Sequence, residues 1–268
     1  MTDLALIGVP YWLGKKDEYS GSVEVLRETG LAEMIGAQWI DIVPQFESGH
    51  EPVVAVNIAL ADAIRALPEG TIPIVVAGDC TSCWGAMTGL QKKTSPIVLW
   101  YDAHGDFNTP ETSPSGFLGG MPLSAMVGMG NQDLVQAIGL NILAEQDVVL
   151  ADARDLDPEE AELVRQSAIT YVPDLASLET MHWEKPLYIH FDADMIHLDD
   201  YPAVNYPASG GPSLSESLAS IKNAVQNNPI AGILFTIWND DMAGAEQSRD
   251  AIVSLIQAVA EELKTGDR

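Results

Sequence analysis

Basic residues are scarce in this sequence: 13 Lys and Arg stand against 39 Asp and Glu, a formal charge of −26 at pH 7. A nucleic-acid duplex or an anionic bilayer repels such a surface, which excludes both as expected partners. Cysteines number only 2. Three positions apart, at Cys80 and Cys83, they are too few and too close for a disulfide framework. No apolar run approaches the roughly eighteen residues of a membrane span. The stretch "MTDLALIGVPYWLGKKDEYS" has no basic region ahead of its short apolar segment, so a cytoplasmic location is the expectation. Internal repeats, low-complexity tracts and linkers are also missing, and a single domain over residues 1–268 is the simplest account.

What is present is a chain that is 47% apolar, enough to bury a sizeable core. Its acid excess has two compatible readings, a solvated acidic surface or acids gathered inside around cations. Short, often β-branched apolar runs alternate with helical segments, the pattern of a parallel sheet covered on both faces. Eight strands are expected near 3–9, 38–43, 72–78, 96–101, 147–152, 168–172, 186–191 and 230–238. Helices are expected over 22–35, 52–67, 82–92, 157–166 and 213–226. The spacing of Ile252, Leu255, Ile256, Val259 and Leu263 predicts a terminal helix docked on the sheet. One stretch breaks the pattern: "NTPETSPSGFLGGMPLS", from Asn108 to Ser124, carries three Pro and three Gly and reads as a long ordered loop.

In such a sheet, side chains just beyond the carboxyl ends of the strands converge on one crevice. Strand 72–78 leads into Asp79 and Cys80, strand 96–101 into "YDAHGDFN" with Asp102, His104 and Asp106, and strand 186–191 into "HFDADMIH" with Asp192 and Asp194. Alternate residues of an extended segment share a side, so each acidic run is expected to aim its members together. Two carboxylates about 4 Å apart repel by roughly 4 kcal/mol at an effective dielectric near 20. With few bases nearby, bound cations are the natural compensation, and oxygen and imidazole donors suit Mn²⁺, with Fe, Co, Ni or Zn as alternatives.

The segment "AGDCTSC" admits three readings: a redox dithiol at a helix start, part of a metal ligand set, or a turn. As a thiolate Cys80 would favour a softer metal; as a neutral thiol it would leave that metal weakly held. Cys83 reads as a small buried packing residue. Among the histidines, His190 alternates with Asp192 and is a candidate neighbour of the site, and His197, one turn past Asp194, is a candidate proton donor. For these, and for His50 and His182, a surface or satisfied core histidine is the bland alternative. Asp240 and Asp241, after the last strand, are either at the crevice edge or in a solvated turn.

Taken together, "YDAHGDFNTPETSPSG" and "FDADMIHLDDYPA", with "AGDCTS" upstream and "ARDLDPEE" between, resemble the ureohydrolases: arginase, agmatinase, guanidinobutyrase and formiminoglutamase. The resemblance spans roughly residues 70–240 in the right order. It implies a three-layer α/β/α sandwich with a mostly parallel eight-stranded sheet, and a dinuclear manganese centre whose bridging hydroxide attacks a planar C–N carbon. By this resemblance Asp102 and Asp192 bridge the ions, His104 and Asp194 complete one, and Asp106 with position 80 completes the other. It also makes Asp106 a proton relay, gives Asn108 and Ser115 the substrate's α-carboxylate, and gives Asp155 and Asp157 its α-amino group. A small-molecule substrate and a homo-oligomer, trimer or hexamer, are implied as well.

Three positions depart from the family pattern. Cys80 stands where the family has His, which leaves open a single metal or Zn, Fe, Ni or Co in place of one Mn²⁺. Gly119 stands where arginases carry a proton-transferring His, a role His197 could take. The guanidinium-binding Glu falls near Ile237 or Trp238, so Trp238 is the candidate to meet the substrate's tail. The expected activity is hydrolysis of a non-peptide C–N bond in a linear amidine, formimino or related amino-acid substrate. The competing expectation is a degenerate family member with a structural or regulatory role that binds one metal or none.

Overall fold

The computed structural model describes residues 2–16, 21–48, 51–236 and 238–265; His50 and Ile237 lie outside them. Its strands are β1 (Leu4–Val9), β2 (Gln38–Asp41), β3 (Ile72–Ala77), β4 (Ile97–Asp102), β5 (Val148–Asp152), β6 (Thr170–Val172), β7 (Leu187–Asp192) and β8 (Ile230–Thr236). They form one eight-stranded sheet in the order β2-β1-β3-β8-β7-β4-β5-β6, with every neighbouring pair parallel. Apart from His190 and the polar residues at their carboxyl ends, the central strands are apolar because helices cover both faces. The edges are blunted by length instead: β2 has 4 residues and β6 has 3.

The helices are α1 (Gly21–Glu28), α2 (Leu31–Met34), α3 (Pro52–Ala66), α4 (Cys83–Leu90), α5 (Pro122–Met126), α6 (Gln132–Ile138), α7 (Pro158–Gln166), α8 (Leu214–Asn227) and α9 (Ala245–Thr265). Alternation along each strand splits the core in two. Leu99, Tyr101, Phe191 and Phe235 pack with α8 and α9 residues such as Ile221, Ile252, Leu255 and Val259. Trp100, Tyr188 and Leu234 face the other way, against Leu60 and Ile64 of α3, Trp84 and Met87 of α4, and Leu123 of α5. The result is the expected three-layer α/β/α sandwich.

Two expectations change. The helix expected over 22–35 is broken into α1 and α2, because Gly30 adopts φ 73°, a left-handed turn that ends the first helix. The stretch 108–124 is a loop only as far as Phe117; a 3₁₀ turn over Leu118–Gly120 follows, and α5 starts with Pro122 in its first turn.

The strand order places the site. The connections leave the adjacent strands β4 and β7 in opposite directions, β4 toward β5 and β7 toward β8, with β8 and β3 next in line. The carboxyl ends of β3, β8, β7 and β4 therefore stand side by side, and such a switch point opens a crevice between the loops that leave it.

Candidate metal centre

Each acidic side chain reaches the crevice by a definable local route. On β4, Trp100 and Asp102 share a face, and the Trp100 indole Nε1–H donates to Asp102 Oδ2 at 3.0 Å. The other oxygen, Asp102 Oδ1, accepts from the His104 amide at 2.7 Å. The strand ends there, so simple alternation does not carry Asp102, His104 and Asp106 to one side as expected. Instead the β5 end clamps the segment, with the Ala153 amide donating to Asp102 O at 2.8 Å and that of Asp155 to Ala103 O at 2.9 Å. Asp106 turns back into the crevice on a left-handed backbone, φ 47°. On β7, Asp192 Oδ1 accepts from the Asp194 amide at 2.9 Å, closing a short turn that brings Asp194 under His104.

Two groups of ligand-type atoms result, each lying within 4.8 Å of one another: Asp102, His104 and Asp194 in one, Cys80, Asp102, His190 and Asp192 in the other. Asp102 belongs to both. His104 Nδ1 lies 3.1 Å from Asp194 Oδ2 and 3.4 Å from Asp102 Oδ1. Burial works against a charge on His104, but hydrogen bonds and attraction from those two carboxylates outweigh it and push its pKa up to about 12. Asp106 lines the same cavity yet lies outside both groups, and its buried Oδ2 has no protein partner among the described residues.

Cys80 leaves β3 through Gly78, where an added Cβ would meet the Tyr11 carbonyl oxygen at 2.4 Å. Asp79 then caps the turn, accepting from Thr81 N at 2.7 Å and from Leu13 N at 2.8 Å. Cys80 Sγ donates to Asp192 Oδ2 at 3.0 Å and lies 3.7 Å from Thr236 Oγ1. Cys83 turns away, its Sγ 3.4 Å from Met126 Sδ in the core. The two thiols face different partners, so the segment is not built as a dithiol, and Cys83 is the packing residue expected.

Electrostatically the crevice is strained toward cations. Burial first, then the neighbouring carboxylates Asp102 and Asp192, hold Asp106 well above the usual carboxylate range. Asp194 is raised for the same reasons, and Asp192 by burial and Asp102. The Cys80 thiol is pushed up by burial and by Asp192, Asp106 and Asp102. Such groups hold protons only because nothing else neutralises them. Carboxylate, imidazole and thiol donors of this number, with one carboxylate oxygen orphaned, fit divalent cations.

These residues form the floor of a cavity of about 530 Å³. Asn108, Ser115, Asp155 and Asp157 line it as expected. Asn108 Nδ2 donates to Asp157 Oδ2 at 3.0 Å, its Oδ1 accepts from Thr112 at 3.0 Å, and its carbonyl accepts from Ser124 at 2.6 Å, so the loop is held on three sides. Glu160, which the sequence reading overlooked, accepts from the Phe107 amide at 2.8 Å and from that of Asp157 at 3.2 Å. Burial pushes its pKa up to about 7 against the pull of those amides. Its signal was present: Asp157 followed three residues later by Glu160 is a capping box at the start of α7. Thr236 and the rim aromatics Trp12, Phe117 and Tyr206 were overlooked as well.

Two expected site residues lie elsewhere. His197 is half-exposed, accepts from the Asp199 amide at 3.2 Å, and does not line the cavity. The turn after Asp192 ends at Ile196 with ψ 141°, so the chain runs on extended and no helical turn carries His197 back. Trp238 is buried in the core on the opposite face of the sheet. The strand ends at Thr236, so the period-2 alternation that would aim Trp238 at the crevice stops short of it. Asp240 and Asp241 also stay out of the cavity, and His182 is exposed. At Gly119, an added Cβ would meet the Phe117 ring at 2.3 Å; the ring fills the space a side chain there would take. Phe117 stacks with Trp12 at 5.9 Å and packs against Tyr206 at 5.2 Å between ring centroids.

The fold has counterparts. The family model described as the arginase family matches residues 35–236, and the chain belongs to that family. An arginase from Bacillus caldovelox is 28% identical over 96% of this chain and 97% of its own. The N(omega)-hydroxy-L-arginine amidinohydrolase of Streptomyces lavendulae is 28% identical over 83% of this chain and 78% of its own. The crystal structure of an arginase from Bacillus cereus superposes with a TM-score of 0.84 at 27% identity, covering 99% of both chains.

Proposed function

We propose that this chain is a metal-dependent hydrolase that cleaves a non-peptide C–N bond in a linear amidine-type substrate bearing an amino-acid head. The observation that carries the reading is the meeting of Asp102, His104, Asp192 and Asp194 at adjacent strand ends in an arginase-family chain. Asp102 and Asp192, with His104, Asp194, Asp106 and Cys80, are the residues that would hold the ions, two of them by family expectation and Mn²⁺ in class. Bound there, divalent cations would supply an acidified water as nucleophile and would stabilise the negative charge that develops on the heteroatoms of the attacked carbon.

The chain's own groups do the rest. Asn108 and Ser115 take the substrate's α-carboxylate, and Asp155 and Asp157 its α-amino group, which positions the tail over the acidic floor. Asp106, with one oxygen unspent, holds the proton that the leaving amine must gain. The hydrophobic rim of Trp12, Phe117 and Tyr206 excludes water from the same space. With Gly119 in place of a side chain and Trp238 packed in the core, those two positions supply no carboxylate to pair with a guanidinium, which favours a tail other than guanidinium.

The test is a panel of amidino, formimino and amide amino acids incubated with the metal-loaded protein and with Asp102→Asn. Release of ammonia or another amine product by the wild type alone supports the reading. No release from any member, by a protein that binds no metal, favours a degenerate family member instead.

A further inference from the structure

His190 is fully buried, 0% exposed, yet neither ring nitrogen has a hydrogen-bond partner among the described residues. Buried imidazole nitrogens are normally paired, since leaving them bare is costly. The indole N–H of Trp100, against which the ring lies, donates to Asp102 instead. The ring is also fixed in orientation, stacked on Trp100 at 3.5 Å with planes 2° apart, as the β4–β7 register setting His190 opposite Trp100 dictates. One of its nitrogens lies within 4.8 Å of Cys80 Sγ and of carboxylate oxygens of Asp102 and Asp192.

We infer that the half of the centre around Cys80 is a thiolate–imidazole site, in which His190 supplies the nitrogen that position 80 lacks and which selects a borderline ion of zinc type over manganese. The inference rests on the metal-dependent reading above and changes its ligand set. A sulfur, a nitrogen and two carboxylate oxygens make a four-donor set suited to Zn²⁺ or Co²⁺, whereas Mn²⁺ favours oxygen-rich surroundings. The other half, with His104 and two carboxylates, keeps harder donors. The centre is then asymmetric, with one soft position and one hard one.

Cobalt serves as the probe, titrated into the metal-stripped full chain. The expected result is a near-ultraviolet sulfur-to-cobalt absorption that is retained in His104→Ala and lost in Cys80→Ser. Zinc affinity, read by competition with a chromophoric chelator, should fall at least about tenfold in His190→Gln. In Cys80→His the preference should return toward manganese. Melting of the metal-free variants separates misfolding from ligand loss, and Cys80→Ser reports on the thiolate even if His190→Gln is poorly folded. Cobalt bound without the sulfur absorption, or a well-folded His190→Gln that binds zinc like the wild type, overturns the inference. The two readings fail separately. Hydrolysis that depends on Asp102 without the absorption sinks only this inference, whereas the absorption without hydrolysis sinks only the proposed reaction.

Discussion

The two halves of the acidic crevice rest on neighbouring strand ends and share Asp102, yet they are built differently. Around His104 the donors are tied to one another: Nδ1 lies 3.1 Å from Asp194 Oδ2 and 3.4 Å from Asp102 Oδ1, an imidazole held between two carboxylates. Around Cys80 a neutral thiol leans on Asp192 while His190 waits with no partner among the described residues. One half holds its proton on the imidazole, whereas the other holds it on the thiol and leaves the imidazole without a partner among the described residues. Metal should therefore displace a proton shared between His104 and its carboxylates in the first half, and the thiol proton of Cys80 in the second, where His190 brings an unprotonated nitrogen.

The largest effect is expected where the halves join. Asp102→Asn removes the carboxylate common to both groups and should strip both ions and reduce turnover to background, read by metal analysis and product release together. A smaller loss follows from Trp100→Phe, which deletes the indole hydrogen bond that orients Asp102. Metal affinity should then fall about 10–100-fold, the usual effect of losing such a supporting contact. Smaller again is Phe117→Ala at the rim: away from the charges, it should raise KM several-fold more than it lowers kcat, and equal effects on both would argue that the rim shapes the chemical step itself.

The pH dependence sharpens the same contrast. His104, pushed up to about 12 in the metal-free protein, must lose its proton to bind metal, so affinity should rise with pH and uptake should release protons into a weakly buffered indicator solution. Glu160 works in the other sense on stability. Its pKa rises from 4.5 to about 7 on folding. The native state therefore binds more protons than the unfolded one across that window. The stability of the metal-free protein should fall as pH rises from 4.5 to about 7, and Glu160→Gln should flatten that slope in thermal melts.

Much of this architecture could be read from residue pattern alone, for a physical reason. Buried parallel strands must be apolar along their whole length, so runs such as Ile97–Asp102 and Leu187–Asp192 announce themselves, and an acid at the end of such a run has only the crevice to enter. Family resemblance then supplied roles for residues whose spacing named only a cluster. Other features depend on where the chain leaves regular structure. The positive φ at Asp106, the extended exit at Ile196 that sends His197 to the surface, and the strand end at Thr236 that frees Trp238 to enter the opposite core leave no periodic trace. The short helices α5 and α6 were missed because five and seven residues give too little periodicity to register. His190 was visible as a neighbour of Asp192, but only packing reveals that its ring nitrogens have no partner among the described residues.

The most direct test is the metal content of the purified chain beside Asp192→Ala. Two equivalents per chain in the wild type, falling to near none in the variant, is the predicted result. A trace content that the substitution leaves unchanged would contradict the account, because acids gathered at these strand ends would then have some purpose other than holding cations.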